Sequence, residues 1–209
     1  MRDAVQIRRR GAIRQLVEVL AGWSSKLINI SSIGAKLSIQ RVTLESYINA
    51  LEMLFIVERV PAWTKTDYGR VGGHSKLFMT DSGLMASILG WNEDKITLSP
   101  DRLGKLFETF VCAEISSLID ANDGMYQLFH YRDREQREID FIIEREDEVL
   151  LGIEVKASTT VGRGDFKHLR WFRDNIAGDR PFFGIVLYAG TYTGSMGKNL
   201  AVVPFGSLW

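Results

Sequence analysis

Two carboxylates and one ammonium group are predicted to share one face of a β-hairpin. The carboxylates belong to Asp140 and Glu154, and the ammonium group belongs to Lys156. Like charges held close together are costly unless a cation compensates them, and a divalent metal ion is the usual compensation. Ligand sets made only of oxygen favour a hard ion such as Mg²⁺ or Mn²⁺ over zinc. The pattern therefore predicts a Mg²⁺ or Mn²⁺ site, with Lys156 beside the metal to orient a water molecule or to stabilise charge on a phosphate.

The hairpin itself is predicted from alternating apolar residues over 138–156. Successive side chains of a strand point to opposite faces, so matching the apolar residues of the two runs sets their register. Each run is expected to bury one face, formed in the first run by Ile139, Phe141 and Ile143, and to keep the other face for the polar groups. The register pairs 139 with 155, 140 with 154, 141 with 153 and 143 with 151, and it requires a three-residue turn at 146–148. The alternative is an ordinary half-exposed pair of strands with an ion pair.

Composition indicates a folded protein of the reducing cytoplasm. The chain has 209 residues, of which 45% are hydrophobic and 25% charged, as in ordinary soluble domains. Cys112 is the only cysteine, which excludes an internal disulfide and a cysteine-based zinc cluster. The longest apolar run, residues 182–190, is too short to span a bilayer. We therefore expect a cytoplasmic protein with no membrane partner.

The charge distribution suggests two modules. Residues 1–90 carry 12 lysines and arginines against 7 acids, and residues 91–209 carry 14 against 19. The segment between 92 and 100 is polar and is the best candidate for a linker. The predicted domains are residues 1–92 and residues 101–209.

The first module is predicted to be a winged helix-turn-helix. It is expected to begin with an amphipathic helix at 4–20, a short helix at 31–37 capped by Ser31, and a third helix at 41–54. Two β-like runs follow, at 55–63 and 76–81, which completes the order of a winged helix-turn-helix. If the module binds DNA, the side chains expected to reach it are Gln40, Arg41, Thr43 and Ser46, with Arg70 on the wing. Glu45 in the middle of that surface argues against deep insertion into a groove. The alternative is a module for packing or protein contact.

The second module is predicted to be an α/β unit with a mixed sheet. A long helix over 101–119 is followed by a strand at 125–132, by the hairpin, by a helix over 165–175 and by strands at 182–188 and 200–203. Two histidines in it, His130 and His168, are expected to be a strand-end residue and part of a solvated helix face. Overall, we expect the α/β (α+β) class.

The order of these elements, with Gly104-x-x-x-Glu108, Asp140 and Glu154-Val155-Lys156, resembles the restriction-endonuclease-like superfamily of PD-(D/E)xK nucleases. The resemblance implies an α/β/α core in which Glu108, Asp140 and Glu154 bind Mg²⁺ or Mn²⁺ and the backbone carbonyl of Val155 completes the metal shell. It implies that Glu108, Asp140, Glu154 and Lys156 are the catalytic residues of a DNA phosphodiesterase, with Lys156 stabilising the transition state.

Several stretches spread along the whole chain carry a narrower resemblance, among them Tyr47-Ile-x-x-Leu-Glu, Lys76-Leu-Phe-Met-Thr-Asp-Ser-Gly-Leu, Glu138-Ile-Asp-Phe and Ile153-Glu-Val-Lys. With them the chain resembles the C-terminal region of a large family of predicted AAA-type ATPases in bacteria and archaea. The resemblance implies an AAA-type ATPase domain as partner. The phosphate-binding motif Gly-x-x-x-x-Gly-Lys-Ser/Thr does not occur here, so we expect no ATPase activity from this chain alone.

Three functions are compatible with these patterns. The first is a Mg²⁺-dependent DNA nuclease. The second is a non-catalytic module that binds nucleic acid and positions the ATPase, and the third is a protein-interaction scaffold. The sequence leaves open whether the chain forms a homo-oligomer.

Overall fold

The computed structural model describes residues 10–66 and 74–207, which form two β-sheets with helices packed against them. The predicted beginning of the first helix, at residues 4–9, and Arg70 of the predicted wing lie outside the described residues. The mixed α/β class predicted from the sequence is confirmed.

The first half contains helices around a three-stranded antiparallel sheet, in the order expected for a winged helix-turn-helix. The strands lie in the order β1-β3-β2. The elements are α1 (Arg10–Trp23), β1 (Lys26–Leu27), α2 (Ile30–Leu37), α3 (Arg41–Met53), β2 (Val57–Val60), β3 (Lys76–Met79), α4 (Ser82–Ile88) and α5 (Glu93–Thr97).

The start of α2 differs from the prediction. Asn29, not Ser31, is the N-cap, and its Oδ1 accepts a hydrogen bond from the amide of Ser32 at 2.9 Å. Asparagine caps a helix as well as serine does, so residue type alone did not decide between the two. The helix therefore begins at Ile30, before the predicted cap.

The second half is a six-stranded mixed sheet. The strands lie in the order β4-β5-β6-β7-β9-β8, with β4, β5 and β6 antiparallel and β6, β7 and β9 parallel. Strand β8 was not predicted. The elements are α6 (Pro100–Asp120), β4 (Tyr126–Arg132), β5 (Glu138–Arg145), β6 (Leu150–Lys156), a 3₁₀ turn (Arg163–Phe166), α7 (Lys167–Asn175), β7 (Phe182–Tyr188), β8 (Gly194–Gly197), β9 (Leu200–Pro204) and a last 3₁₀ turn (Phe205–Ser207).

Helices cover this sheet on both faces. On one face, Leu169 and Phe172 of α7 pack in a cluster that includes Ile142 of β5. On the other face, Val111 of α6 packs in a cluster with Phe141. The expectation that one hairpin face would be kept for polar groups is therefore wrong for most of its length, since Ile142 is completely buried.

Helix α6 also packs against the sheet of the first half. The cluster beneath it contains Val60 of β2 and Phe78 of β3 together with Phe141 of β5. Hydroxyl groups of Ser24 and Thr109 are 2.9 Å apart in the buried contact between the two halves. The two halves therefore share part of one apolar core.

Candidate functional site

The hairpin of β5 and β6 has the predicted register over its outer part. Phe141 pairs with Ile153 and Ile143 pairs with Leu151. The amide of Arg145 donates to the carbonyl of Val149 at 3.0 Å, which closes the three-residue turn predicted at 146–148. Glu148 has a φ of 64°, as is usual for the last residue of such a turn. Side-chain alternation and turn length were therefore sufficient to predict this part of the site.

A β-bulge in β5 changes the inner part of the hairpin. Ile142 pairs with Phe129 of β4, whereas Ile139 pairs with Tyr131, so two residues of β5 lie opposite the single residue His130. A bulge reorients the side chains next to it. Ile139 consequently packs in the α7 cluster and not with Phe141, which corrects the prediction that these two residues share one face.

The carboxylate of Asp140 hydrogen-bonds to β6 just beyond the point where the backbone pairing of β5 with β6 ends. The last paired residues are Phe141 and Ile153, so the predicted pairs 139 with 155 and 140 with 154 are not formed. Instead, Oδ2 of Asp140 accepts a hydrogen bond from the amide of Val155 at 2.8 Å. This bond fixes the carboxylate of Asp140 beside β6.

The ammonium group of Lys76 lies between the carboxylates of Glu108, Glu138 and Asp140, which together form the acid cluster. Its Nζ is 2.6 Å from Oε1 of Glu138, 2.9 Å from Oε1 of Glu108 and 3.5 Å from Oδ1 of Asp140. Only 2% of the lysine side chain is exposed. Lys76 is the first residue of β3, so the first half of the chain contributes the cation that neutralises carboxylates from α6 and β5.

Burial and charge act in opposite directions on this cluster. Burial lowers the pKa of Lys76, but the charges of Glu108, Asp140 and Glu138 outweigh it and raise the pKa above its usual value. Burial and the charge of Asp140 raise the pKa of Glu108 to about 7, against the opposing effect of Lys76. Burial also raises the pKa of Glu138, but Lys76 outweighs it and the net shift is downward. Lys76 therefore stays charged, and it is the main compensation for the buried carboxylates.

Glu154 lies beside this cluster on β6. The residue is 7% exposed, and its Oε1 has no hydrogen-bond partner among the described residues. Nζ of Lys156 is 3.7 Å from its Oε2, and Nδ1 of His168 is 3.9 Å from its Oε1. Burial and the charge of Asp140 raise the pKa of Glu154 well above its usual range, although Lys156 opposes the shift.

His168 belongs to this site and not to a solvated helix face. Its Nδ1 lies 2.9 Å from the carbonyl oxygen of Glu138, close enough for a hydrogen bond. The residue is half-buried, because the first turn of α7 packs against the beginning of β5. The helical periodicity of α7 alone did not reveal that contact.

The arrangement does not fit a metal ion held jointly by Glu108 and Asp140. Lys76 already contacts both carboxylates, and the second oxygen of Asp140 accepts from Val155. Within residues 10–66 and 74–207, no group of three Asp, Glu, His or Cys side chains is arranged to hold a metal. Binding of Mg²⁺ or Mn²⁺ by Glu108, Asp140, Glu154 and the carbonyl of Val155 stays a prediction that depends on displacing Lys76.

Glu138 and Lys76 were not predicted as site residues, although the sequence contains a signal for each. Glu138 has the same parity as Asp140 in the hairpin and follows the same pattern. Lys76 stands at the head of a stretch that carries the family resemblance, but all four residues of β3 are buried, so alternation does not single it out.

The predicted DNA-contacting residues lie at the start of α3. Gln40, Arg41 and Thr43 are exposed. Nε of Arg41 is 2.9 Å from Oε1 of Glu45, and the hydroxyl of Ser46 donates to the carbonyl of Val42 at 3.0 Å. The one cation of this surface that the structure describes is therefore paired with an acid of the same helix. Contact with DNA stays a prediction.

No helix in the described part of the chain has the length and apolar character needed to cross a membrane.

Comparison with known proteins gives relatives without an assigned activity. The chain is 24% identical over 163 residues to the uncharacterized proteins Rv2008c of Mycobacterium tuberculosis and Mb2031c of Mycobacterium bovis. The match covers 76% of this chain and 36% of either relative, so the chain spans about a third of their length.

Among solved structures, a refined half-complex of Thermococcus gammatolerans McrB AAA+ hexamers with bound McrC is similar with a TM-score of 0.37 and 9% identity. That match covers 93% of this chain and 70% of the other.

Two families of domains match successive parts of the chain. Residues 1–95 match the domain of unknown function DUF8612. Residues 103–208, half of the chain, match the domain of unknown function DUF4143. These residues include α6 from its fourth residue on, the bulged hairpin and α7, and therefore all the carboxylates of the acid cluster but not Lys76. The chain belongs to the DUF4143 family.

Proposed function

We propose that this chain is a non-catalytic binding module of an AAA-type ATPase-family protein. It has a nuclease-like fold in which Lys76 occupies the space between the carboxylates of the acid cluster. The association with an ATPase is supported by the sequence resemblance, which extends over nearly the whole chain. The absence of catalysis is supported by one observation, the position of the Lys76 ammonium between Glu108, Glu138 and Asp140.

Electrostatics favours an inert site. A metal-dependent phosphodiesterase needs its carboxylates free to hold a divalent ion that retains open positions for water and substrate. Here a buried ammonium group contacts three of the carboxylates. Removing one partner from a buried ion pair costs about 3–5 kcal/mol, because an uncompensated charge is left behind. An incoming metal ion therefore has to displace Lys76 against that cost.

The surface proposed for nucleic acid is the exposed start of α3. Gln40, Arg41, Thr43 and Ser46 lie there, and Arg70 would add a phosphate contact from the wing. Binding through such contacts releases counterions and falls steeply with salt. Protein contact through the same module is the alternative, and it predicts no DNA binding at any salt concentration.

The test is to incubate the chain with branched, single-stranded and double-stranded DNA in the presence of Mg²⁺ or Mn²⁺. We expect no cleavage, together with DNA binding that weakens as salt rises. Metal-dependent cleavage that is lost in both Asp140→Ala and Lys156→Ala would contradict the proposal. Lys167→Ala, which removes an exposed lysine of α7, is the matched control.

A metal-dependent phosphodiesterase is the second candidate, and Glu154 is the observation that favours it. Its buried Oε1 lacks a hydrogen-bond partner among the described residues, and Lys156 lies 3.7 Å from its other oxygen. Glu108, Asp140 and Glu154, with the carbonyl of Val155, would hold Mg²⁺ or Mn²⁺. A metal held there would supply its usual chemistry, the lowering of the pKa of a water molecule. Lys156, at the more exposed end of β6, would stabilise the charge that develops on the phosphate.

A further inference from the structure

A groove of about 600 Å³ lies where β2, the C-terminal half of α6 and β4 meet. Its walls are mainly apolar and come from all three elements and the residues next to them, namely Val57, Pro61, Ala113, Ile119 and Leu128. A cavity of this size holds several side chains of a peptide.

Two carboxylates in the groove have no cationic partner in the described part of the chain. Both oxygens of Glu58 accept from the hydroxyl of Ser116, at 3.0 and 3.1 Å. No lysine, arginine or histidine among the described residues forms an ion pair with Glu58 or with Asp120. Asp120 is the last residue of α6, where the carbonyl end of the helix adds negative potential. The groove is therefore apolar in its walls and negatively charged at two points.

Three consecutive large apolar side chains are exposed, and the last of them lies at the groove. Met53, Leu54 and Phe55 are 77%, 67% and 81% exposed, and Phe55 also lines the groove. Phe55 has a φ of 54°, a conformation that is costly for a residue with a side chain. The hydroxyl of Thr80 holds it by donating to its carbonyl at 2.5 Å. The fold thus maintains a strained residue that presents an aromatic ring to solvent beside an apolar groove.

We propose that this groove binds a segment of a partner protein in which an arginine or lysine stands close to a large apolar residue. The basic side chain would pair with Glu58 and Asp120, and the apolar side chain would pack between Phe55 and the walls. The same two carboxylates repel the phosphates of nucleic acid and of anionic lipid headgroups, so charge complementarity favours a basic peptide. Exposed contiguous apolar groups of this kind commonly mark protein contacts.

The inference does not depend on the function proposed for the acid cluster. Asp120 is twelve residues beyond Glu108 on the same helix, about 18 Å along its axis at 1.5 Å per residue. Occupation of the groove and chemistry at Lys76 can therefore be tested separately.

The experiment is selection from a phage library of random dodecapeptides on the folded chain at physiological salt. We expect the enriched peptides to carry arginine or lysine within a few residues of a large apolar side chain. Synthetic copies should bind the chain in fluorescence anisotropy, and Glu58→Gln, Asp120→Asn and Phe55→Ser should each weaken binding by about tenfold, as expected for central interface residues. Asp94→Asn, which neutralises an exposed acid of α5 outside the groove, should leave binding unchanged.

Three outcomes would overturn the inference. They are no enrichment at all, enriched peptides without basic residues, and peptides that bind the three groove variants as tightly as the unaltered chain. Concentration-dependent dimerisation of the chain that Phe55→Ser abolishes, without peptide binding, would assign the groove to a second copy instead. Glu58→Gln keeps the acceptor for Ser116 and Phe55 is exposed, so circular dichroism should show that both variants fold.

Discussion

Lys76 and Glu108 are joined by a 2.9 Å contact between Nζ and Oε1, although 32 positions separate them in the sequence. The contact fastens the first strand residue of β3 to the middle of α6. It puts a fixed positive charge where the nuclease resemblance places a divalent metal ion.

Replacing Lys76 by methionine should destabilise the protein and allow divalent metal to bind. The change keeps most of the length of the side chain but removes the one charge, among the described residues, that contacts Glu108, Glu138 and Asp140 together. We expect a loss of about 3–5 kcal/mol in the free energy of unfolding. We also expect Mn²⁺ to raise the melting temperature of this variant and not that of the unaltered chain, since ligand bound only to the folded state stabilises it.

Lys156→Met is the control, because it leaves Lys76 in place. The double variant Lys76→Met/Glu108→Gln should regain part of the lost stability and respond less to Mn²⁺. Equal responses of the unaltered chain and of Lys76→Met to Mn²⁺ would show that Lys76 does not exclude metal.

His130→Gln should make the protein less sensitive to acid. Burial is the main cause that lowers the pKa of His130 from 6.5 to about 4. As the pH falls below 6.5, the unfolded chain takes up a proton at this residue, whereas the folded protein does so only near pH 4. The stability that the neutral imidazole contributes is thus complete above pH 6.5 and is lost toward pH 4, by about 3 kcal/mol.

Urea unfolding at several pH values checks this expectation. Glutamine can still donate to the carbonyl of His74, which Nε2 of His130 contacts at 2.9 Å. The difference in stability between the two proteins should therefore change across pH 6.5 to 4. A constant difference for His130→Gln would contradict the depressed pKa.

Alanine at two glycines should have opposite effects. A Cβ at Gly152 of β6 would lie 2.7 Å from Cζ of Phe182 and 2.9 Å from Cδ2 of Leu169, so Gly152→Ala should cost about 1–3 kcal/mol by overpacking. A Cβ at Gly104 of α6 would meet no atom within 4 Å, and Gly104→Ala should stabilise the helix by about 0.5–1 kcal/mol. Thermal unfolding of the two variants compares them directly, and a stable Gly152→Ala protein would argue against the close packing of α7 on β6.

Glu45→Gln should strengthen whatever DNA binding the start of α3 provides. The change frees Arg41 from its ion pair with Glu45 and removes a negative charge from the same surface. Arg41→Ala should weaken binding for all sequences and reduce the dependence of log K on log salt by about one unit. Fluorescence anisotropy over a range of salt concentrations measures both effects. If neither variant differs from the unaltered chain, DNA does not bind at this surface.

The hairpin shows what can be predicted from a sequence such as this. Side-chain alternation specifies strand faces, and matching apolar residues specifies register, so the pair Phe141 with Ile153 and the turn at 146–148 were predicted correctly. The bulge at Asp140 was not predictable, because it depends on the pairing of β5 with β4 on its other edge. A single extra residue there was enough to move Ile139 to the opposite core.

Lys76 shows the limit of the same reasoning. Its partners come from α6 and from β5, and no local period relates it to Glu108 or Glu138. Sequence patterns describe which face of an element is apolar, but which buried cation meets which buried acid depends on how the elements pack. The same applies to His168, which meets Glu138 only because α7 crosses the sheet there.

The packing of α6 against both sheets has a consequence for how the protein can be divided. A cut between residues 95 and 101 would separate Val60 and Phe78 from Val111 and the rest of their shared cluster. It would also leave Glu108, Glu138 and Asp140 without Lys76. We therefore expect the two matched segments to melt as one cooperative unit, and either segment expressed alone to be aggregation-prone.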